Sequence, residues 1–191
     1  MDCQKILDFW EAKLHNEAET KTSLKYFKPQ YMSLVNPHPL WTTSGNNPFE
    51  VNKSVVVARL LSGRYRCDWL ARHWSKTNPQ GYCLLCPGDD VNGTIEHMMI
   101  SCPALELKRS ELLQYWWAQT DDNIPLQLLL MKFAKSLGSE FVQLVLDPSV
   151  VPDVISSVQN QDFTLEEVFR LTKTYCYGLH RKRLKLIGRF N

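Results

Sequence analysis

Four residues between positions 83 and 102 constrain this 191-residue chain more than any others. Cys83 and Cys86 stand three positions apart, ten residues separate Cys86 from His97, and four more separate His97 from Cys102. The C-x2-C-x10-H-x4-C spacing offers the four thiolate and imidazole donors that tetrahedral zinc takes. Two thiols three apart grip an ion from a tight turn, and the longer gap lets the chain double back. Pro87-Gly88 and Asn92-Gly93 are turn dipeptides, so the ligands fall on either side of a bend. Thr94 can cap a short helix over 95–100 that carries His97, with Cys102 at its exit. Four protein ligands leave no position for water, so the reading is a single structural Zn2+.

Charge is the second signal. The formal net charge is only +2, so the whole chain does not announce a polyanionic partner. Its distribution does. Between positions 51 and 80 stand Lys53, Arg59, Arg64, Arg66, Arg72 and Lys76 against one acid, Asp68, with Tyr65, Trp69 and Trp74 interleaved. Guanidinium groups pair bidentately with phosphate, and exposed aromatic rings stack unpaired bases. Arg59, Arg64, Tyr65, Arg66, Arg72, Trp74 and Lys76 are therefore candidate nucleic-acid contacts. A second basic run follows Gly178: His180, Arg181, Lys182, Arg183, Lys185 and Arg189, with no acid to the end. Arg181, Lys182, Arg183 and Lys185 exceed what a helix C-terminus needs to complement its dipole, and they join the candidate set. The bland alternative makes both runs solvated helix faces and the aromatics core. If both serve nucleic acid, folding must bring them onto one face.

The expected fold is mainly α: one helical domain with an embedded single-zinc Cys3His module and at most a short β-hairpin near Cys83. Its stretches are an N-terminal helix and Pro-rich aromatic segment (1–49), a basic helical segment (50–80), the zinc module (81–105) and a helical region with a basic tail (106–191). Residues 1–19 carry Ile6, Leu7, Trp10 and Leu14 at helical spacing for packing on the core. Residues 28–49 hold too many prolines for long regular structure, and Tyr31, Leu34, Leu40 and Trp41 would pin them to a surface. Asn47-Pro48-Phe49-Glu50 starts a helix that stops at Gly63, with Val51, Val55, Ala58 and Leu60 or Leu61 inward. Further helices are expected over 67–74, over 104–119 with Leu105, Leu112, Leu113, Trp116 and Trp117 inward, and over 125–137. The segment 140–146 fits a helix or a short strand. Asp147-Pro148-Ser149 opens another short helix, and Thr164 caps the last one. That helix has an apolar stripe of Leu165, Val168, Phe169, Thr172, Tyr175, Cys176 and Leu179.

The chain has six cysteines and no apolar leader, which points to a reducing intracellular setting, nucleus and cytoplasm, with thiols held by metal. No apolar run approaches the ~20 residues of a membrane span. No enzyme chemistry is expected. Asp121-Asp122 lies in a polar interhelix stretch rather than a hydrophobic hairpin, and Pro152-Asp153 lacks the second acid and lysine of a metal-dependent nuclease. No glycine loop suggests a small-molecule substrate. Cys67, His73, Cys176 and His180 could form a second metal site, but lone helix thiols are more often core residues.

Around the metal motif, Ala58-Arg-Leu-Leu-Ser-Gly-Arg-Tyr-Arg66, Arg72-His-Trp-Ser75, Glu96-His97 and Cys102-Pro-Ala-Leu105 resemble the C-terminal, post-thumb segment of LINE-type non-LTR retrotransposon reverse transcriptases. The resemblance extends through Pro37-His-Pro-Leu-Trp41, Leu146-Asp-Pro-Ser149 and Cys176-Tyr-Gly-Leu-His-Arg181, and so spans nearly the whole chain. It implies an accessory module, not itself catalytic, that helps seat template RNA or target DNA during target-primed reverse transcription. Its implied partners are RNA or DNA and the upstream polymerase domains of the same polyprotein. The alternative is a protein-interaction module with zinc as scaffold and the aromatic Pro-rich segment as contact surface.

Overall fold

The computed structural model describes residues 3–21, 24–28, 37–73, 75–86, 90–136 and 138–188. These hold nine α-helices in the order α1 (Cys3–Thr20), α2 (Pro39–Thr42), α3 (Pro48–Leu61), α4 (Asp68–Ala71), α5 (Glu106–Gln119), α6 (Ile124–Ser136), α7 (Ser139–Leu146), α8 (Pro152–Gln159) and α9 (Leu165–Leu186). Among the described residues the only β pairing is an isolated antiparallel bridge, Tyr82 with Asn92. The expected helical fold with no more than a hairpin at the metal module is what forms.

The longest central element, α9, begins at a full capping box: the Thr164 hydroxyl accepts from Glu167 N–H while the Glu167 carboxylate accepts from Thr164 N–H. Its stripe Val168, Phe169, Leu171, Thr172, Tyr175, Cys176 and Leu179 is buried against α3, α5 and α7. The α5 crossing is close at Gly178, where a Cβ would come 2.8 Å from Leu112. Trp116, Phe141 and Tyr175 form the aromatic centre, with ring centroids 5.3 to 6.0 Å apart. Trp116 Nε1 donates to Leu171 O at 3.1 Å, so the indole is buried without an orphan donor.

Local chemistry placed several boundaries well. Asn47 accepts from Phe49 N–H ahead of Pro48, as the start signal requires. Gly63, at φ +64°, ends α3. There the Gly63 N–H bonds to Leu60 O and the Arg64 N–H to Arg59 O at 2.9 Å, the paired pattern of a left-handed helix stop. The undecided 140–146 segment is helical because Phe141, Val142, Leu144, Val145 and Leu146 are all buried, leaving no solvent face to alternate toward.

Other expectations need correction. In α3 the buried residues are Lys53, Ser54, Val56, Val57, Leu60 and Leu61, while Val51, Val55 and Ala58 are only partly buried. The register turns because polar groups go inward too: Ser54 Oγ donates to Leu40 O at 3.0 Å, and Lys53 meets Glu50 at 2.7 Å. Along α1, Ile6 and Trp10 are exposed, so that face does not join the core among the described residues. Trp41 is exposed whereas Leu40 is buried. Tyr31 and Leu34 lie outside the described residues. The helix expected over 67–74 shortens to α4.

Two segments quoted for the resemblance meet. His38 and Asp147 pair at 3.2 Å between Nε2 and Oδ2, and the Leu40 N–H donates to His38 Nδ1. This hydrogen-bonded contact ties the Pro-rich segment to the end of α7. No helix of the described residues is long and apolar enough to cross a membrane.

Candidate metal centre and the basic cleft beside it

The metal ligands come from two local devices. A turn holds Cys83 and Cys86, with Cys86 N–H bonded to Cys83 O at 3.1 Å and Cys83 N–H bonded across the bend to Val91 O at 2.7 Å. A helical turn holds the others. Thr94 caps it as expected, its hydroxyl accepting from His97 N–H at 3.1 Å. The turn then widens into a π-helix over His97–Ser101, with Cys102 N–H bonded to His97 O at 2.7 Å. On an α-helix five residues advance about 500°, leaving positions 97 and 102 on well-separated sides. The wider i→i+5 turn brings them back together.

The result is one cluster in which all four ligand atoms lie within 4.8 Å of one another and all four residues are buried. Cys86 Sγ is 3.6 Å from Cys102 Sγ and 3.4 Å from His97 Nε2, and Cys83 Sγ is 4.0 Å from Cys102 Sγ. A tetrahedron with metal–sulfur bonds of ~2.3 Å has sulfur–sulfur edges of roughly 3.8 Å and sulfur–nitrogen edges of roughly 3.5 Å. The three sulfur–sulfur and sulfur–nitrogen separations above are close to those edges, so the group could hold a single metal ion. Burial, and then the neighbouring thiols, push Cys102 up to about 12, and burial raises Cys83 as well. Without a cation these thiols hold their protons. Burial and the Arg109 charge lower His97, which keeps its imidazole neutral and able to ligate.

Three supporting residues escaped the sequence reading. Ser101 Oγ sits 3.2 Å from His97 Nδ1 and sets the ring so that Nε2 faces the sulfurs. Its signal was the i+4 spacing. Buried Arg109 donates to Cys102 O at 2.8 Å, placing a cation beside three thiols that become anionic with metal. Asp68 is the third. Its Oδ2 accepts from Leu84 N–H at 3.1 Å, between the two turn cysteines, and its Oδ1 accepts from Arg183 at 2.6 Å. Gly93 packs so close that a Cβ there would come 2.6 Å from Asp68 Cβ. Asp68 thereby joins α4, the metal loop and the end of α9.

That pair changes the basic candidates. Arg183 is buried, bound to Asp68, and does not face solvent; its place four residues after Leu179 put it on the core stripe of α9. Tyr65 is also buried, with its hydroxyl 3.0 Å from His180 Nδ1, and so is no stacking platform. Lys53 is spent on Glu50 and Thr174. Arg72 lies with its guanidinium 3.5 Å over the Trp69 ring and donates to Trp69 O at 2.8 Å. Lys182 is half-buried and close enough to Glu111 to lower its carboxyl, after Lys108. Arg181 is exposed beside the Tyr177 ring, Lys76 and Lys185 are exposed, and Trp74 lies outside the described residues.

Arg59, Arg64 and Arg66 remain exposed and converge. With Tyr65 and with His180, Arg183 and Leu184 of α9 they line a cleft of about 490 Å3 that holds no acid among the described residues. The helix stop at Gly63 turns residues 64–66 back onto α9, with Tyr65 N–H also bonded to Arg59 O at 2.8 Å. Arg66 also lines a second cleft, of about 300 Å3, with Asp68, Ala71, Ser75, Asn78 and Leu84 toward the metal loop. Of the second basic run only His180 and the buried Arg183 border the arginine cleft; Arg181, Lys182 and Lys185 are not among its lining residues. Cys176 is buried with its thiol on Val145 O, and His180 is engaged by Tyr65, so neither joins a second metal cluster among the described residues. Buried Lys173, bonded to Thr43 O, Thr43 Oγ1 and Ser44 Oγ, is a satisfied structural cation. No family model, curated protein or solved structure matches this chain.

Proposed function

We propose that this chain is a zinc-stabilised nucleic-acid-binding module without catalysis of its own. The observation that carries the reading is the acid-free cleft between residues 64–66 and α9, where Arg59, Arg64 and Arg66 are exposed together. Three guanidinium groups in one concavity match a phosphate backbone better than they match a mixed protein surface. The metal's part is structural: three cysteines and one histidine at tetrahedral edges favour zinc among common ions, and no position remains for water. Through Asp68 the metal loop braces the far side of the same face. With the resemblance in its motifs, the module is best read as the C-terminal part of a LINE-type reverse transcriptase. There it would help position template RNA or target DNA beside the upstream polymerase domains, in nucleus and cytoplasm.

The test is a binding titration of the metal-loaded protein against single-stranded RNA, hairpin RNA and duplex DNA at two salt concentrations. Phosphate-driven binding weakens steeply, with about 0.9 units of log–log slope per contact on duplex and about 0.7 on single strands. Metal analysis of reduced protein should return one equivalent of zinc. The protein-interaction alternative is favoured by one observation, the exposure of Tyr82, Leu84 and Val91 at the metal loop. Salt-independent or absent nucleic-acid binding would hand the function to that surface.

A further inference from the structure

Resting on the nucleic-acid reading, we infer that His180 is a phosphate ligand of the arginine cleft and binds as imidazolium, so that the module takes up a proton when it takes up a polyanion. His180 projects from α9 into the cleft beside Arg59, Arg64 and Arg66. Its Nδ1 is 3.0 Å from Tyr65 Oη, and among the described residues nothing hydrogen-bonds Nε2. No buried side-chain nitrogen or oxygen there lacks a partner, so Nε2 is open to the cleft. It is the one donor of the ring left for a ligand.

In the ligand-free protein the ring is held neutral. Burial does most of this, and the charges of Arg183, then Arg59 and Arg181, add to it. The groups facing it are all cationic or uncharged: Arg59 from α3, Tyr65 and Arg66 from the loop, Tyr177, Arg181 and Arg183 from its own helix. Asp68, the nearest acid through Arg183, is consumed by that arginine. A phosphate in the cleft reverses the balance, since an anion within contact distance favours the charged ring. Tyr65 permits the change. Arg183 engages one lone pair of its oxygen, and the other can accept from the Nδ1–H of the imidazolium. Phosphodiesters do not titrate near neutrality, so any proton gained on binding belongs to the protein.

The experiment measures the affinity of the metal-loaded protein for oligouridylate, whose bases do not titrate in this range, at fixed salt between pH 6 and 8. Metal content is checked at each pH. Affinity should rise as pH falls, by up to about tenfold per unit where the bound form holds the extra proton. His180→Gln should flatten the profile, lower the salt slope at pH 6 by up to about 0.7 units, and leave helicity and metal content in place. A flat parental profile, or a slope that persists in His180→Gln, overturns the inference. Arg64→Ala/Arg66→Ala separates the two claims. If that variant loses binding while the parent shows no pH dependence, the cleft binds nucleic acid and only the role of His180 is refuted.

Discussion

Asp68 and Arg183 look in the sequence like a blemish in one basic run and a member of another. In the fold each is the other's partner, at 2.6 Å and with 6 % of either side chain exposed. Removing one partner of a buried pair typically costs about 3–5 kcal/mol, because the other charge is left desolvated and alone. Arg183→Leu should therefore destabilise the protein by that amount in urea denaturation, whereas Arg181→Leu, two residues away and exposed, should change it by less than about 1 kcal/mol. Equal stability of the two variants would refute the bracing role. His180 predicts a pH effect on the free protein. Its folded-state value is lowered from 6.5 to about 4, by burial first, so the fold prefers the neutral ring. Between pH 6.5 and 4 the unfolded chain holds a proton that the folded chain refuses, and stability falls as pH drops through that window. For a half-buried, screened ring the loss should be about 1–2 kcal/mol, and absent from His180→Gln. At this scale the ligands were legible because metal chemistry dictates residue type and spacing. Arg183 and Tyr65 were misread because a charge or a ring says nothing of the direction it faces. The stripe from Phe169 through Cys176 and Leu179 did point on to position 183.

Helix boundaries were the most readable elements, since Asn47, Gly63, Thr94 and Thr164 each act on their own neighbours. What could not be read was the inward face of α3, where Ser54 bonds to Ser44, and Lys53, besides its neighbour Glu50, reaches Thr174, a residue remote in the chain. The π-turn at His97–Ser101 was also hidden, because only the closure of the ligand set calls for it. The metal loop's seat rests on Gly81, at φ +75°, where a Cβ would come 2.9 Å from Trp69 Cα. A left-handed position with backbone in the way makes Gly81→Ala costly, about 1–3 kcal/mol from strain alone, and it should weaken metal binding in a chelator competition. Removing the metal should open residues 81–105 and spare the aromatic centre of α5, α7 and α9. Structural zinc is worth about 10–16 kcal/mol in isolated finger peptides, but here the metal module adjoins a much larger helical part of the same buried cluster, which carries the helices. Circular dichroism after chelation should keep most of its helical signal while hydrogen exchange in the loop becomes fast. Global unfolding on chelation would show that the loop and the helical core are one cooperative unit.

For the whole molecule, a net charge of +2 conceals a polar distribution. Asp68 is withdrawn by Arg183, and Arg59, Arg64 and Arg66 face a cleft with no acid among the described residues of its lining. The convergence is built by two remote segments, the helix stop at Gly63 and the final turns of α9. It depends on the metal loop through the Leu84 N–H bond to Asp68. The last prediction follows from that arrangement. Arg64→Ala/Arg66→Ala should lower the log–log salt slope of single-stranded RNA binding by about 1.4 units, roughly 0.7 for each lost phosphate contact. Lys132→Ala, which removes a cation paired with Asp153 on the far pair of helices α6 and α8, should leave the slope unchanged. The chelated protein, its Asp68 brace broken, should bind with a lower affinity and a smaller slope than the metal-loaded form, even though every arginine is still present. If the arginine variant and the lysine variant shift the slope equally, the attraction is diffuse charge and the cleft has no privileged role.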